Sequence, residues 1–405
     1  MKKIGFLGLL FCNCIFLFGQ SVSKTIQLLP DTGQTTSYTT TFGEDHDYLI
    51  NNPSFTNNNN GTILDNVTGL MWQQVDGGQM THENAIVYCD NLVLGGYSDW
   101  RLPTPIEAFS ILNHQNANPA INTTYFSSLT TPGAEYWWTS VFENNSTTKV
   151  WCTNAGGGIG NHPKSETIDA GGTKRFNARA VRNVTTPTTI TNHFTDNGDG
   201  TITDNLTQLV WQNILNPNVV TWEQALIYAE GLTIGTTSDW RLPNIKELQS
   251  INNELATNPS VFLPYFSNVG IHNYWSSTTL PNQTLSAWYW NTQFGITTYD
   301  VKTNSNYVLC VRGTPVLANA QFLSDTDSKI YPNPTSNFVL LSFQNEVNLL
   351  QIQITNSFGQ IIYSNEVKPI SNEYKIDLQE FSEGLYYLSI INGNIKNTYK
   401  IIKKK

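Results

Sequence analysis

The chain has 405 residues, with 22 Lys and Arg against 31 Asp and Glu, a formal net charge of -9 and only 13% charged residues. That length exceeds what one hydrophobic core fills and implies two or three domains. The acidic balance offers no basic face to nucleic acid, so Asn, Thr, Ser and Gln must carry the surface.

The first segment predicts export. Lys2 and Lys3 precede a mostly apolar run, Ile4 to Phe18, which is short for a settled membrane span, and Leu17 and Gly19 suit cleavage before Gln20. Residues 1–19 are therefore expected to be a secretory signal peptide, and Phe11 before Cys12 is too bulky for lipoprotein processing. No later segment has the apolar length of a transmembrane anchor. Removal of the signal leaves Cys89, Cys152 and Cys310, an odd number with no disulfide framework of any size.

A block beginning near Phe55 returns about 139 residues later with its landmarks in order. Gly61-Thr62-Ile63-Leu64-Asp65-Asn66 becomes Gly200-Thr201-Ile202-Thr203-Asp204-Asn205, and Leu70-Met71-Trp72-Gln73 becomes Leu209-Val210-Trp211-Gln212. Asn60-Gly61 and Asp199-Gly200 accept the positive φ of a tight hairpin, so each copy is expected to open on one. A helix follows. Thr221 and Gln224 form a capping box, Ala225, Tyr228, Ala229 and Leu232 share one face, and copy one has Thr81, Ala85, Tyr88, Cys89 and Leu92 there. The glycines at 95–96 and 235 are expected to end these helices.

The six residues Ser98 to Pro103 recur unchanged as Ser238 to Pro243 and lead into a second helix. Thr104, Pro105 and Glu107 read as N-cap, N1 and N3, and Asn244 and Glu247 take the cap and N3 roles in copy two. Late antiparallel strands follow around Trp138 and Trp151, matched by Trp275 and Trp288, and each copy closes on Val-Arg, at 181–182 and 311–312. The pattern is that of an α+β domain. It predicts copy one over 26–184, a linker at 185–192, copy two over 193–313 and a linker at 314–328. From 329 to 405, short alternating strands with turns at Phe358-Gly359, Glu383-Gly384 and Asn392-Gly393 predict an all-β sandwich.

The repeated Gly-Thr-Ile-x-Asp-Asn, Leu-x-Trp-Gln and Ser-Asp-Trp-Arg-Leu-Pro segments, with the closing Val-Arg, resemble the Lcl C-terminal domain family. The resemblance implies a C-type-lectin-like fold and, for some members, adhesion to sulfated glycosaminoglycans, a chemistry that needs a Lys and Arg cluster the repeats lack. The tail, with Tyr331-Pro332-Asn333-Pro334, Ser357 to Gln360, Glu383 to Tyr386 and a basic end, resembles the type A sorting domain of the type IX secretion system. That implies the secretion machinery as partner and a secreted or outer-surface location.

The Trp-Arg-Leu-Pro segment also resembles formylglycine-generating enzymes, which use a late cysteine pair. Cys310 has Ala180 as its counterpart and no second late cysteine exists, so the expectation is no enzyme. Related domains pair a helix cysteine with a late one, and here Cys89 with Cys152 is the remaining intradomain bond. Asp196 to Gly200 reads as a hairpin turn rather than a calcium loop, and no metal or cofactor is expected. Arg101 and Arg241 are expected to bond Asp99, Asp239 or a carbonyl. The six histidines fall singly and read as surface groups. Tryptophans shared by both copies read as core. Trp137, Tyr274, Trp290 and Tyr299, with Asn154 and Asn291 beside them, are the candidate sugar-binding residues. The reading is a binding or adhesion protein for an extracellular glycan or protein, with an enzyme on the same scaffold and a structural surface component as alternatives.

Overall fold

The computed structural model describes residues 21–48, 50–214, 218–313, 329–342, 350–356, 360–367, 373–392 and 395–404. The expected signal peptide, the linker at 314–328 and the turns at Phe358-Gly359 and Gly393 lie outside the described residues. Two compact units divide the chain, Met1–Pro315 and Val316–Lys405. The described chain is β-rich, and α-helix is confined to four short segments of the first unit.

Each repeat opens on a four-stranded antiparallel sheet: Phe55–Asn57, Thr62–Asp65, Leu70–Gln73 and Val181–Asn183 in copy one, and Phe194–Asp196, Thr201–Asp204, Val210–Gln212 and Val311–Arg312 in copy two. The closing Val-Arg thus returns to the first sheet. Gly61 (φ 85°) and Gly200 (φ 86°) make the tight turns, and the register sets Ile63 opposite Trp72 and Ile202 opposite Trp211 on the buried face.

Four helices follow in chain order: α1 (His82–Asp90), α2 (Pro105–Ser110), α3 (Trp222–Glu230) and α4 (Ile245–Ser250). The capping boxes stand where the sequence puts them, Thr104 with Glu107, Thr221 with Gln224 and Asn244 with Glu247. The helix ends do not. α1 stops at Asn91 and α3 at Gly231, while Gly95, Gly96 and Gly235 form separate tight turns between Leu94 and Tyr97 and between Ile234 and Thr237. Their positive φ serves a β-turn rather than a helix cap. The second sheet of copy one pairs Glu135–Phe142, Lys149–Asn154 and Ile159–Pro163 antiparallel, but its fourth strand, Arg175–Asn177, runs parallel. In copy two Asn273–Thr279, Ser286–Asn291 and Ile296–Val301 correspond.

The two repeats meet like face to like face. Helix α2 packs on α4, and strand Ile159–Pro163 packs on its counterpart Ile296–Val301, where Ile159 N–H donates to Thr297 Oγ1 (3.0 Å). Phe109, Leu112 and Trp151 of copy one and Leu248, Ile251 and Trp288 of copy two belong to one apolar cluster. Equivalent elements touching across a shared face is the geometry of an isologous dimer, here within one chain. The segment at 185–192 is also structured, since Thr188–Ile190 pairs antiparallel with Val22–Lys24.

Residues 25–53, almost all within the bounds expected for copy one, precede its first sheet and have no counterpart in copy two. Part of this strap crosses from one repeat to the other. Lys246 Nζ donates to the carbonyls of Asp31 (2.8 Å) and Ser110 (2.7 Å), Thr32 and Thr278 hydroxyls both donate to Asp45 Oδ2, and the Gln34 amide pairs with the Thr279 backbone and donates to the His114 carbonyl.

The second unit consists of a three-stranded antiparallel sheet (Lys329–Tyr331, Phe338–Ser342, Glu373–Asp377) and a four-stranded one (Ile361–Val367, Leu350–Asn356, Gly384–Asn392, Ile395–Lys403). Val339, Leu341 and Ile376 of the first share an apolar cluster with Ile352, Ile354, Leu388 and Ile401 of the second, so the unit is a β-sandwich.

Candidate functional site

The repeated Trp-Arg-Leu-Pro segment is structural. Arg101 makes a two-pronged pair with Glu107 (2.7 and 2.8 Å) and reaches Asn183 Oδ1, and Arg241 pairs in the same way with Glu247 (2.6 and 2.5 Å). Of the partners expected for these arginines, a carbonyl is met in copy one, where Arg101 donates to that of Leu102 (3.2 Å), whereas Asp99 and Asp239 bond Arg182 and Arg312 of the closing strands (2.7 Å each). The reason is geometric: the N3 glutamate already points back at its N-cap, which brings its carboxylate under the arginine fork. Burial pushes the Glu107 carboxyl up, but Arg101 outweighs it and holds the group below its ordinary range.

The shared tryptophans are core, as their repetition suggests: Trp72, Trp100, Trp138 and Trp151, with Trp211, Trp240, Trp275 and Trp288, are all buried. The candidate sugar-binding aromatics fare differently. Trp137, Tyr274 and Trp290 are buried too and present no ring face to solvent. Trp137 Nε1 donates to Asp76 Oδ2 (2.9 Å), Trp290 Nε1 donates to Asn252 Oδ1 (3.0 Å), and the Tyr274 hydroxyl accepts from Gly270 N–H. Asn154 Oδ1 accepts from the N–H groups of Gly156 and Gly158, and Asn291 bonds Asn273 and Phe294 N–H, so both asparagines hold turns. Tyr299 alone of the set stays open, 45% exposed beside Trp288. A single sequence cannot tell a ring that completes a core from one that leaves it, because both follow strand alternation.

Cys89, Cys152 and Cys310 are buried free thiols, so the Cys89–Cys152 bond admitted by the sequence is not formed here, although both residues line one apolar cluster. Burial pushes the Cys89 thiol up to about 12 and the others up as well, which leaves them poor nucleophiles. His82, His114 and His193, expected at the surface, are interior. His114 contacts the Gly157 carbonyl (2.9 Å) and sets its ring edge-on to Trp288 of the other repeat, and burial lowers it to about 3. Among the described residues no group of three or more His, Cys, Asp or Glu is placed to hold a metal ion.

A cleft lies between the repeats, at a place no sequence motif marks. Its volume is about 330 Å³, within the ordinary range of small-ligand sites. Ile106 and Val141 from copy one and Leu206 and Phe262 from copy two wall it, Val22 to Ile26 pass along it, and exposed Leu255 stands at its rim. Its polar residues come from α4 and just beyond, joined by Thr25, Thr104 and His193. Both amide atoms of Gln249 and the amide nitrogen of Asn252 are buried and meet no partner at hydrogen-bond geometry. Asn252 is fixed by Trp290, which holds its oxygen. Burial pushes the neighbouring Glu254 carboxyl up to about 7, and the amides of Asn252 and Gln249 pull it back. No Lys or Arg lines the cleft.

The strap lies on the other side of the same interface. There burial pushes Asp31 up to about 6, Asp45 rises well above its ordinary range for the same reason, and burial lowers Lys246 to about 8.

Comparison with known families fits this architecture. Residues 61–182 and 200–312 each match the Lcl C-terminal domain, and residues 329–404 match the secretion system C-terminal sorting domain. Among curated proteins no relative matches the chain. The sorting domain marks export to the cell surface or secretion through the type IX machinery, and no described helix is long and apolar enough to cross a membrane. The chain belongs to the Lcl C-terminal domain family, of which it carries two copies ahead of a secretion sorting domain.

Proposed function

We propose that this chain is an exported binding protein, not an enzyme, whose two C-type-lectin-like modules act as one body and engage an extracellular glycan or protein. The observation that carries the reading is the cleft between the modules, with buried amides left free for a partner on a chain addressed for export. An unpaired buried amide costs about 1–3 kcal/mol, which a ligand able to meet it recovers on binding. The motif arginines and glutamates are consumed in ion pairs that shape the helix starts, and the buried thiols are not activated, which favours binding over catalysis. The absence of Lys and Arg from the cleft argues against a sulfated polymer there. Because the modules share a core, they do not behave as two independent sites on a tether, and avidity arithmetic does not apply.

The test is a glycan and matrix-protein binding screen with the full mature chain. Saturable binding to at least one extracellular glycan or protein is expected. A clean failure across the screen, or turnover of a substrate by the purified chain, would contradict the reading.

A further inference from the structure

The open cleft and the seat of the strap are the same place on the two copies. From the shared Trp-Arg-Leu-Pro segment onward, each position in copy one recurs 140 residues later through the second helix and its following loop, Trp100 at Trp240 and Asn118-Pro119 at Asn258-Pro259. On the next strand Trp138 matches Trp275, and the matching is structural: Ser140 N–H donates to the Pro103 carbonyl as Ser277 N–H does to that of Pro243.

The strap touches three residues of copy one in its seat. Lys246 ties it to the Ser110 carbonyl, the His114 backbone bonds Thr32 and Gln34, and Gln115 Oε1 accepts from the N–H groups of Thr35 and Thr36. From copy two it meets Asn244, Lys246, Thr278 and the Thr279 backbone. The counterparts of the first three are Ser250, Glu254 and Leu255, and those of Asn244, Lys246, Thr278 and Thr279 are Thr104, Ile106, Val141 and Phe142. All of these but Phe142 line the open cleft. Like faces like across the shared core, so one approximate two-fold relation generates both seats. Residues 31–36, a run without helix or strand, fill one; the other is a cleft.

We propose that the open cleft binds a linear, uncharged peptide segment of another protein, seated as residues 31–36 are seated in the twin. The residues that differ between the seats define the chemistry. Asn244 meets the Asp31 carboxylate, Lys246 the Asp31 main-chain carbonyl and Thr278 the Asp45 carboxylate; their counterparts Thr104, Ile106 and Val141 supply no cation and two apolar side chains, so the cleft takes an apolar side chain where the strap places Asp31. Phe109 and Leu112, core residues on the filled side, are replaced by Gln249 and Asn252, whose buried amides lie beside Glu254 and offer both Gln249 atoms and the Asn252 nitrogen to the acceptors and donors of a peptide main chain. This rests on the binding reading above and names the partner as a peptide.

The experiment is fluorescence anisotropy on the full mature chain, with a labelled octapeptide of residues 29–36 carrying Asp31→Leu, backed by panning a displayed library of linear octapeptides. The altered octapeptide is expected to bind saturably, and the unaltered one at least tenfold more weakly. Binding should fall at least tenfold in Gln249→Leu and in Leu255→Trp, the first removing the amide and the second blocking the rim. Neither variant should lower the urea midpoint by more than an ordinary surface change, because the Gln249 amide meets no partner at hydrogen-bond geometry and only pulls on Glu254, and Leu255 is exposed. Failure of the octapeptide and of every library member to bind, or binding that both variants retain, overturns the peptide assignment. A glycan or matrix ligand that both folded variants still hold would overturn it while leaving the broader binding reading intact.

Discussion

Replacing Lys246 by Met probes the joint between strap and repeats at its most buried charge. The ammonium is 1% exposed and donates to one carbonyl of the strap and one of copy one, at 2.8 and 2.7 Å. Charge-assisted bonds of this kind contribute about 1.5–3 kcal/mol each, and the lost ammonium desolvation penalty offsets part of that. With two carbonyls left unpaired, the net loss is about 3 kcal/mol at pH 7, where the lysine, lowered to about 8, is still mostly charged. The penalty should shrink at pH 5, because Asp31, raised to about 6, is then mostly neutral and no longer needs a nearby cation. Urea unfolding followed by tryptophan fluorescence is the assay, and it reports the first unit alone, since all 11 tryptophans lie between Trp72 and Trp290. Stability within about 0.5 kcal/mol of wild type at both pH values, no more than an ordinary surface change, would refute the bridging role.

Other expected outcomes use the same assay. Glu247→Gln should cost about 3–5 kcal/mol, because it strands a buried Arg241, whereas Glu107→Gln should cost less, since the Arg101 side chain is 33% exposed and water can receive it. Trp290→Ala should lose about 3–5 kcal/mol through its cavity, while Tyr299→Ala should stay within about 0.5 kcal/mol; equal effects would contradict the assignment of the first to core and the second to surface. Asp31 is raised in the fold, so the native state holds its proton more readily than the unfolded chain. Its contribution is therefore present below about pH 4 and is lost as pH rises through about 6, by at most roughly 3 kcal/mol. Asp31→Asn should flatten that segment of the stability profile, and an unchanged slope would remove Asp31 as its source.

Local features were legible because their causes are local. The Asn60-Gly61 and Asp199-Gly200 turns, the capping boxes of α2, α3 and α4 and the buried alternation around Trp72 and Trp211 all follow from residues a few positions apart. The partner of Arg101 is within reach of the sequence, since Glu107 lies six residues on, but its capping role already accounts for that residue and hides the second one. What stayed hidden depends on contacts between distant residues. Phe109 and Leu248 look like core residues of separate domains, and nothing in their spacing says that they share one core. Polar residues such as Asp31, Thr32 and Gln34 fall inside the expected copy one with no motif to give them a role until the opposite repeat supplies Lys246 and Thr278. The cleft was illegible for the same reason, being built from both copies.

The account depends on the two repeats being one cooperative body rather than two beads. Hydrogen exchange on the full chain carrying Phe109→Ala, a core truncation in copy one worth about 3–5 kcal/mol, tests this most directly. Protection should fall together in the strands at 135–154 and at 273–291. Loss confined to the copy-one strands, with 273–291 as protected as in wild type, would contradict it.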